Sequence, residues 1–388
     1  MKRSQKLSLL VLTLLPLTSS VVWAQQEPFH PELSLAERIG IIKEKQDRFE
    51  LYIHTHFSGE LQLDKRENQP RAAFRMPQLR IETKVQLNDW LSFRWRQRLN
   101  KSNRADQHID DLPNSIDIAG LGIKPSEKWS LFIGKQTATP GGFEYDLNPI
   151  EVYEFSNMGE HMTPYLTGVK ASYQPHPNHQ IQLEVLNSRN ASFEATYPRV
   201  SGVTEVALPF VYTINWNGHL SPTLSTRWSY TFLPQGTKEG KAYNMHYIAL
   251  GNRLHVGPFD SYLDIMYANE GLNRKGIIPH PYHTEYLSLV LELKYRIHPQ
   301  WQLFFKGMYE TAGAANATKE GNKERPIAYP KVLTSYGYIG GIEYYPIDGE
   351  NLHFFLTYIG RSHRHIEPEK SGDNHRLSLG FIYQIPLF

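Results

Sequence analysis

Cysteine is absent from all 388 residues. That excludes a disulfide framework, thiolate metal sites, a Cys nucleophile and a lipidated N-terminal Cys. A strong excess of one charge is also missing: 41 Lys and Arg stand against 39 Asp and Glu. A nucleic-acid partner selects a strongly basic face, so this balance argues against one. Long apolar runs are lacking too. No stretch reaches the roughly 18 apolar residues of a membrane-spanning helix. Gly-rich phosphate loops, His-Glu-x-x-His and Gly-x-Ser-x-Gly are all absent. No catalytic residue, metal or cofactor is therefore assigned. His363-x-His365 offers two metal ligands, fewer than a zinc site takes. What is abundant is aromatic: 12% of the chain, with 23 Tyr.

The first 24 residues read as an export signal. Lys2, Arg3 and Lys6 form a basic start, and Leu7 to Leu17 an apolar stretch too short to span a bilayer. Val22-Trp23-Ala24 then places small residues for cleavage after Ala24. Residues 25–48 form a second, periplasmic segment. Within it Ser34-Leu35-Ala36-Glu37 has capping-box spacing and starts a short amphipathic helix to about Gln46. Residues 49–388 form the third unit.

There the period becomes two. Phe49, Leu51, Ile53, Thr55 and Phe57 alternate with Glu50, Tyr52, His54, His56 and Ser58, which a strand puts on opposite faces. The alternation predicts sixteen strands, near 49–63, 73–87, 90–99, 116–124, 128–136, 166–174, 180–187, 207–217, 222–233, 243–254, 258–269, 284–297, 300–311, 335–346, 351–362 and 374–388. After each even-numbered strand the link is short, as at Asn88-Asp89 and His298-Pro299. After each odd-numbered strand it is longer: 64–72, 100–115, 137–165, 188–206, 234–242, 270–283, 312–334 and 363–373. The fold class is all-β: a sixteen-stranded antiparallel transmembrane barrel with short periplasmic turns and long external loops.

A soluble sandwich also alternates. Two features favour a membrane. The strands run to about 9–15 residues, whereas soluble ones average about 5–6. Aromatics also gather at the ends of the apolar faces (Tyr173, Trp216, Phe232, Tyr267, Trp301, Tyr309, Tyr344, Tyr358), as interfacial girdles require. The chain ends in Phe388, an aromatic end typical of such barrels. Its even number opposes the odd outward set of the last strand, so Pro386 must break the alternation.

The inward face points to an ion path. Arg80 and Lys84 flank Glu82 on the second strand, and Arg94, Arg96 and Arg98 follow on the third. Water and counter-ions must fill a lumen that holds five cations to one carboxylate on one wall. Arginine suits the task because it stays charged and grips oxyanions with a forked donor set. Lys170, Arg227, Lys294, Arg296, Lys306 and Arg376 share the inward parity elsewhere. The longest loop, 137–165, carries Glu144, Asp146, Glu151, Glu154 and Glu160 and no Lys or Arg. A loop of this length in a compact fold is usually functional. Folded inward, it would set a constriction and oppose an acidic rim to the basic wall.

The run Leu131-Phe132-Ile133-Gly134-Lys135-Gln136, with Gly142-Phe143-Glu144-Tyr145-Asp146 and Asn148 to Glu154, resembles the phosphate-selective porin O and P family. Phe74 to Arg98 is similar too. The resemblance implies a sixteen-stranded barrel, commonly trimeric, with an arginine ladder and an inward third loop. Arg94, Arg96 and Arg98 would stand for the ladder. Phosphate-specific members place lysines at the constriction, and this loop has none. Phosphate specificity and a general or different selectivity therefore both stay open.

The expected function is passive diffusion of small hydrophilic solutes or anions through the outer membrane of a Gram-negative bacterium. The expected surroundings are outer-membrane lipid and, from the resemblance, two further copies in a homotrimer. A second reading is a barrel whose external loops bind a ligand or partner. A third is a barrel lipid hydrolase, which would need a Ser and a His facing each other at the lipid edge.

Overall fold

The computed structural model describes residues 48–64, 69–104, 109–315 and 329–388. The expected signal segment 1–24 and the helix near 34–46 lie outside the described residues.

Sixteen long strands follow one another: β1 (Phe49–Asp64), β2 (Pro70–Asn88), β3 (Leu91–Arg98), β4 (Ile116–Ser126), β5 (Trp129–Thr137), β6 (Tyr165–His176), β7 (His179–Asn187), β8 (Phe210–His219), β9 (Leu224–Lys238), β10 (Lys241–Val256), β11 (Phe259–Leu272), β12 (Tyr282–His298), β13 (Trp301–Ala314), β14 (Lys331–Tyr344), β15 (Leu352–His365) and β16 (Gly372–Pro386). Each pairs antiparallel with its chain neighbours, and a two-residue ladder at Thr204–Glu205 adds to the far end of β9. The sheet closes where β16 meets β1, from Tyr52 opposite Pro386 to Asp64 opposite Asn374. Closure leaves no row of unpaired backbone groups.

Burial alternates as the pattern requires. On β12 Val290 is fully buried while Leu291 is 39% exposed. Leu183, Ile214, Phe305, Leu356 and Leu379 are exposed on the outer face in the same way. A belt of bare aliphatic and aromatic side chains around a whole barrel would aggregate in water. It is satisfied by lipid. Two aromatic tiers bound it. Trp301 lies beside Tyr344 and Trp129 stacks on Tyr173, both pairs with ring centroids 4.6 Å apart. Eight residues along β13, about 20 Å of height on a tilted strand, Tyr309 meets Tyr336.

Several links are shorter than expected. The expected loop 234–242 is a tight hairpin, because β9 and β10 continue beyond the belt to Lys238 and Lys241. Glu239 and Gly240 turn it with φ of 50° and 76°, the left-handed pair that matches strand twist. Expected loop 363–373 shrinks to 366–371 for the same reason. At the C-terminus the strand stops at Pro386, and Phe388 packs edge-on against Phe49 with centroids 5.9 Å apart. The change of parity at Pro386 places this last ring beside an outward-facing one.

Candidate solute path and its inner loop

Residues 138–164 turn back into the barrel. The entry needs glycine. Gly141 and Gly142 have φ of 93° and 83°, and a Cβ on Gly142 would sit 3.0 Å from the Asp264 carboxylate. A Cβ on Gly141 would strike the Ser229 hydroxyl. Asp264 on β11 then accepts the backbone N–H groups of Phe143 at 2.9 Å and Glu144 at 2.8 Å. Asn148 caps a short turn at Pro149–Glu151. Ser156 caps the single-turn helix α1 (Asn157–His161) through the Gly159 N–H at 3.1 Å.

The loop is fastened from the β11–β16 side. Lys306 on β13 donates to Glu144 at 2.6 Å and to the Glu154 carbonyl at 2.8 Å. Glu144 also accepts from the backbone N–H of Ser156 at 2.9 Å. Arg361 bonds Glu310 at 2.7 Å, and Glu310 accepts from the N–H of Asn157 at 2.5 Å. Arg376 donates to Glu154 at 2.9 Å. Tyr153 donates to Glu343 at 2.8 Å and stacks on Phe304 at 4.9 Å. Burial pushes the Tyr145 and Tyr153 phenols up, Tyr153 further by Glu343, so both stay neutral in use. Ile150 and Met158 are buried beneath.

Behind the loop, from β10 to β14, the lumen is filled. Met245, Tyr247, Tyr262, Met266, Tyr286, Val290, Met308 and Ile339 point inward and pack with Phe143 and Met158 of the loop. Sequence parity missed this. On β10 both faces are apolar: Met245, Tyr247 and Ala249 alternate with Ile248 and Leu250.

The open path runs along the opposite wall. A cavity of about 870 Å³ lies between the loop and the inner faces of β2–β9. Arg80, Lys84, Arg94, Arg96, Arg98, Lys101, Lys170 and Arg227 line it. Asp146, Glu151 and Glu160 line it from the loop, and Glu82 from the wall. Glu82 bonds Arg94 at 2.7 Å and lies 3.0 Å from His54 Nε2. Asp117 on β4 stands behind Arg80, Arg96 and Arg98 at 3.4, 3.6 and 2.9 Å. This carboxylate is hard to place by alternation, because Ala119, Gly120 and Gly122 leave β4 without a clear inward face. Arg96 also donates to the Tyr165 hydroxyl at 2.9 Å. The arginines are unequal: Arg94 keeps 42% of its side chain exposed, Arg80 only 1%. Lys84 pairs with Glu50 at 3.0 Å and Lys170 with Glu184 at 3.6 Å. Arg227 meets Asp146, so the loop touches the wall there. Lys101, on the loop after β3, has no ion pair among the described residues. Partial burial and neighbouring Arg98 pull its ammonium down.

The family model for phosphate-selective porin O and P matches residues 49–385. The chain belongs to that family. None of the curated proteins matches it. Solved barrels share the fold. An anion-selective porin from Comamonas acidovorans is 8% identical, with TM-score 0.57 over 87% of this chain and 99% of that one. Salmonella typhi OmpF in complex with daunomycin is 13% identical, with TM-score 0.58 over 87% and 97%. OmpT of Vibrio cholerae, in its trimer form, is 11% identical, with TM-score 0.52 over 87% and 100%.

As an outer-membrane porin, the molecule has a path whose remaining predicted residues fall in distinct places. Lys294 lies below the loop, 3.2 Å from Glu292. Arg296 sits at the periplasmic mouth, 4.5 Å over the Tyr345 ring. Three placements differ from expectation. Lys306 and Glu144 do not line the open cavity, being buried against each other beneath the loop. Asp146 and Glu151 do border it, whereas Glu154 faces a side cavity beside Arg376.

Proposed function

We propose that this porin passes small anions by passive diffusion, selecting them between the β2–β9 wall and the inner loop. One observation carries the reading: eight cationic side chains line the cavity against four carboxylates, three of them on the loop. An anion 5 Å from one guanidinium gains about 3 kcal/mol at an effective dielectric of about 20. That is several times the thermal energy, so the part not offset by Glu50, Glu82, Asp117, Asp146 and Glu184 still discriminates. Inorganic phosphate falls within the accepted class, as the family's description supports. The trimer form of Vibrio cholerae OmpT supports a homotrimer.

The test is reversal potential in a planar bilayer under a salt gradient, repeated with phosphate added. Anion preference that weakens in Arg94→Ala and Lys101→Ala is the expected result. Equal permeation of both ions would defeat the reading. Block by low phosphate would narrow the class to phosphate.

A further inference from the structure

We propose that the path carries an uncharged subsite on β7 and β8 that takes the hydroxyl groups of a polyhydroxylated anion, a sugar acid or sugar phosphate. The proposal rests on the anion-selective reading above and names a substrate class for it.

Four amide side chains form a block on the inner face. Gln180 lies opposite Asn217, and Gln182 opposite Asn215. Gln182 Nε2 donates to Gln180 Oε1 at 2.8 Å, and Asn217 Nδ2 donates to the same oxygen at 3.1 Å. That leaves Gln182 Oε1, Asn217 Oδ1 and both polar atoms of Asn215 without a hydrogen-bond partner among the described residues. Asn215 is 99% buried, its residue exposure being 1%. Buried polar groups are normally satisfied, so an unmet amide is a cost that the fold carries. Gln182 and Asn215 border the main cavity, and Gln182 and Asn217 the smaller cavity below it. The block thus spans the junction between the two.

The chemistry of the free atoms decides the ligand. Whichever way an amide is turned, it presents an acceptor oxygen and a donor NH₂. Chloride has no proton to give to those oxygens. Singly protonated phosphate has one. A chain of hydroxyls donates and accepts at every carbon, which matches an amide block. Charge for the anionic end stands on both flanks. Arg227 lies opposite Asn217 on β9, and Lys170 opposite Glu184 on β6. Glu184 stands 3.6 Å from Lys170, and Asp146 of the loop pairs directly with Arg227.

Gluconate and hexanoate are suitable probes, sharing charge and chain length but differing in hydroxyls. Each is titrated against chloride current through the full-length porin in a planar bilayer. The wild type is expected to be half-blocked by gluconate at a concentration at least tenfold below that for hexanoate. In Gln182→Met with Asn215→Leu the ratio is expected to fall toward one. A wild-type ratio near one, or an unchanged ratio in the variant, would overturn the subsite. If the double variant does not fold, the wild-type ratio and the single substitution Asn217→Leu decide. Reversal potential on the same membranes separates the two readings. No anion preference defeats the function proposed above; preference with a ratio near one defeats only the subsite.

Discussion

Among single residues, charge alone does not say which arginine meets a solute. Arg80, Arg94, Arg96 and Arg98 are equivalent by parity and residue type. Their partners make them different. Asp117 gathers three guanidiniums, while Arg94 leans on Glu82 with much of its side chain open. Removing one partner of a buried charge group leaves the other uncompensated and costs about 3–5 kcal/mol. Asp117→Asn should therefore lower the urea concentration at which the barrel unfolds, followed by gel mobility of the folded form. It should also raise anion preference, since it strips one negative charge from behind the wall. A bilayer recording that showed reduced preference would contradict the assignment of Asp117 to this wall. The alternation on β2 and β3 made the arginines legible. Asp117 was not, because Ala119, Gly120 and Gly122 leave β4 without a clear two-residue period.

At the level of elements, the inner loop is the feature whose existence was legible and whose fastening was not. Length, acidity and the Pro140-Gly141-Gly142 turn mark it in the sequence. The residues that hold it, Asp264, Lys306, Glu310 and Glu343, lie more than 100 positions away and look like ordinary inward polar residues. Deleting 143–160 should raise single-channel conductance, and unchanged conductance with an intact barrel would refute a constriction role. A milder change probes the latch. Gly142→Ala sets a Cβ 3.0 Å from Asp264 at a φ of 83°, a strain of roughly 1–3 kcal/mol. Its current should flicker between levels where the wild type stays steady. Lys306→Met removes the ammonium from Glu144 and from the Glu154 carbonyl. It should give the same flicker, because a buried carboxylate left alone no longer holds the loop.

For the whole molecule, the lumen is lopsided. The strand count, the two rims and the lipid-facing belt follow from a period of two, which closed barrels obey throughout. The filled half does not follow, since alternation cannot say which of two apolar faces is inside. The mature N-terminus is a separate matter at this scale: Edman sequencing of exported protein should begin at Gln25, and a start at Met1 would remove the signal-peptide reading. The lopsided lumen itself can be tested because the chain has no cysteine, so every introduced thiol reports alone. A positively charged methanethiosulfonate reagent attacks thiols that water reaches. Arg94→Cys and Lys84→Cys sit on the open wall and should react within seconds, with a step in current. Val290→Cys and Met308→Cys point inward by parity just as surely, but are buried against the loop. They should stay unmodified while the loop is in place and become reactive when 143–160 is deleted. Fast labelling at 290 and 308 in the intact porin would mean that ions pass on both sides of the loop, and the β2–β9 wall would lose its claim to set selectivity.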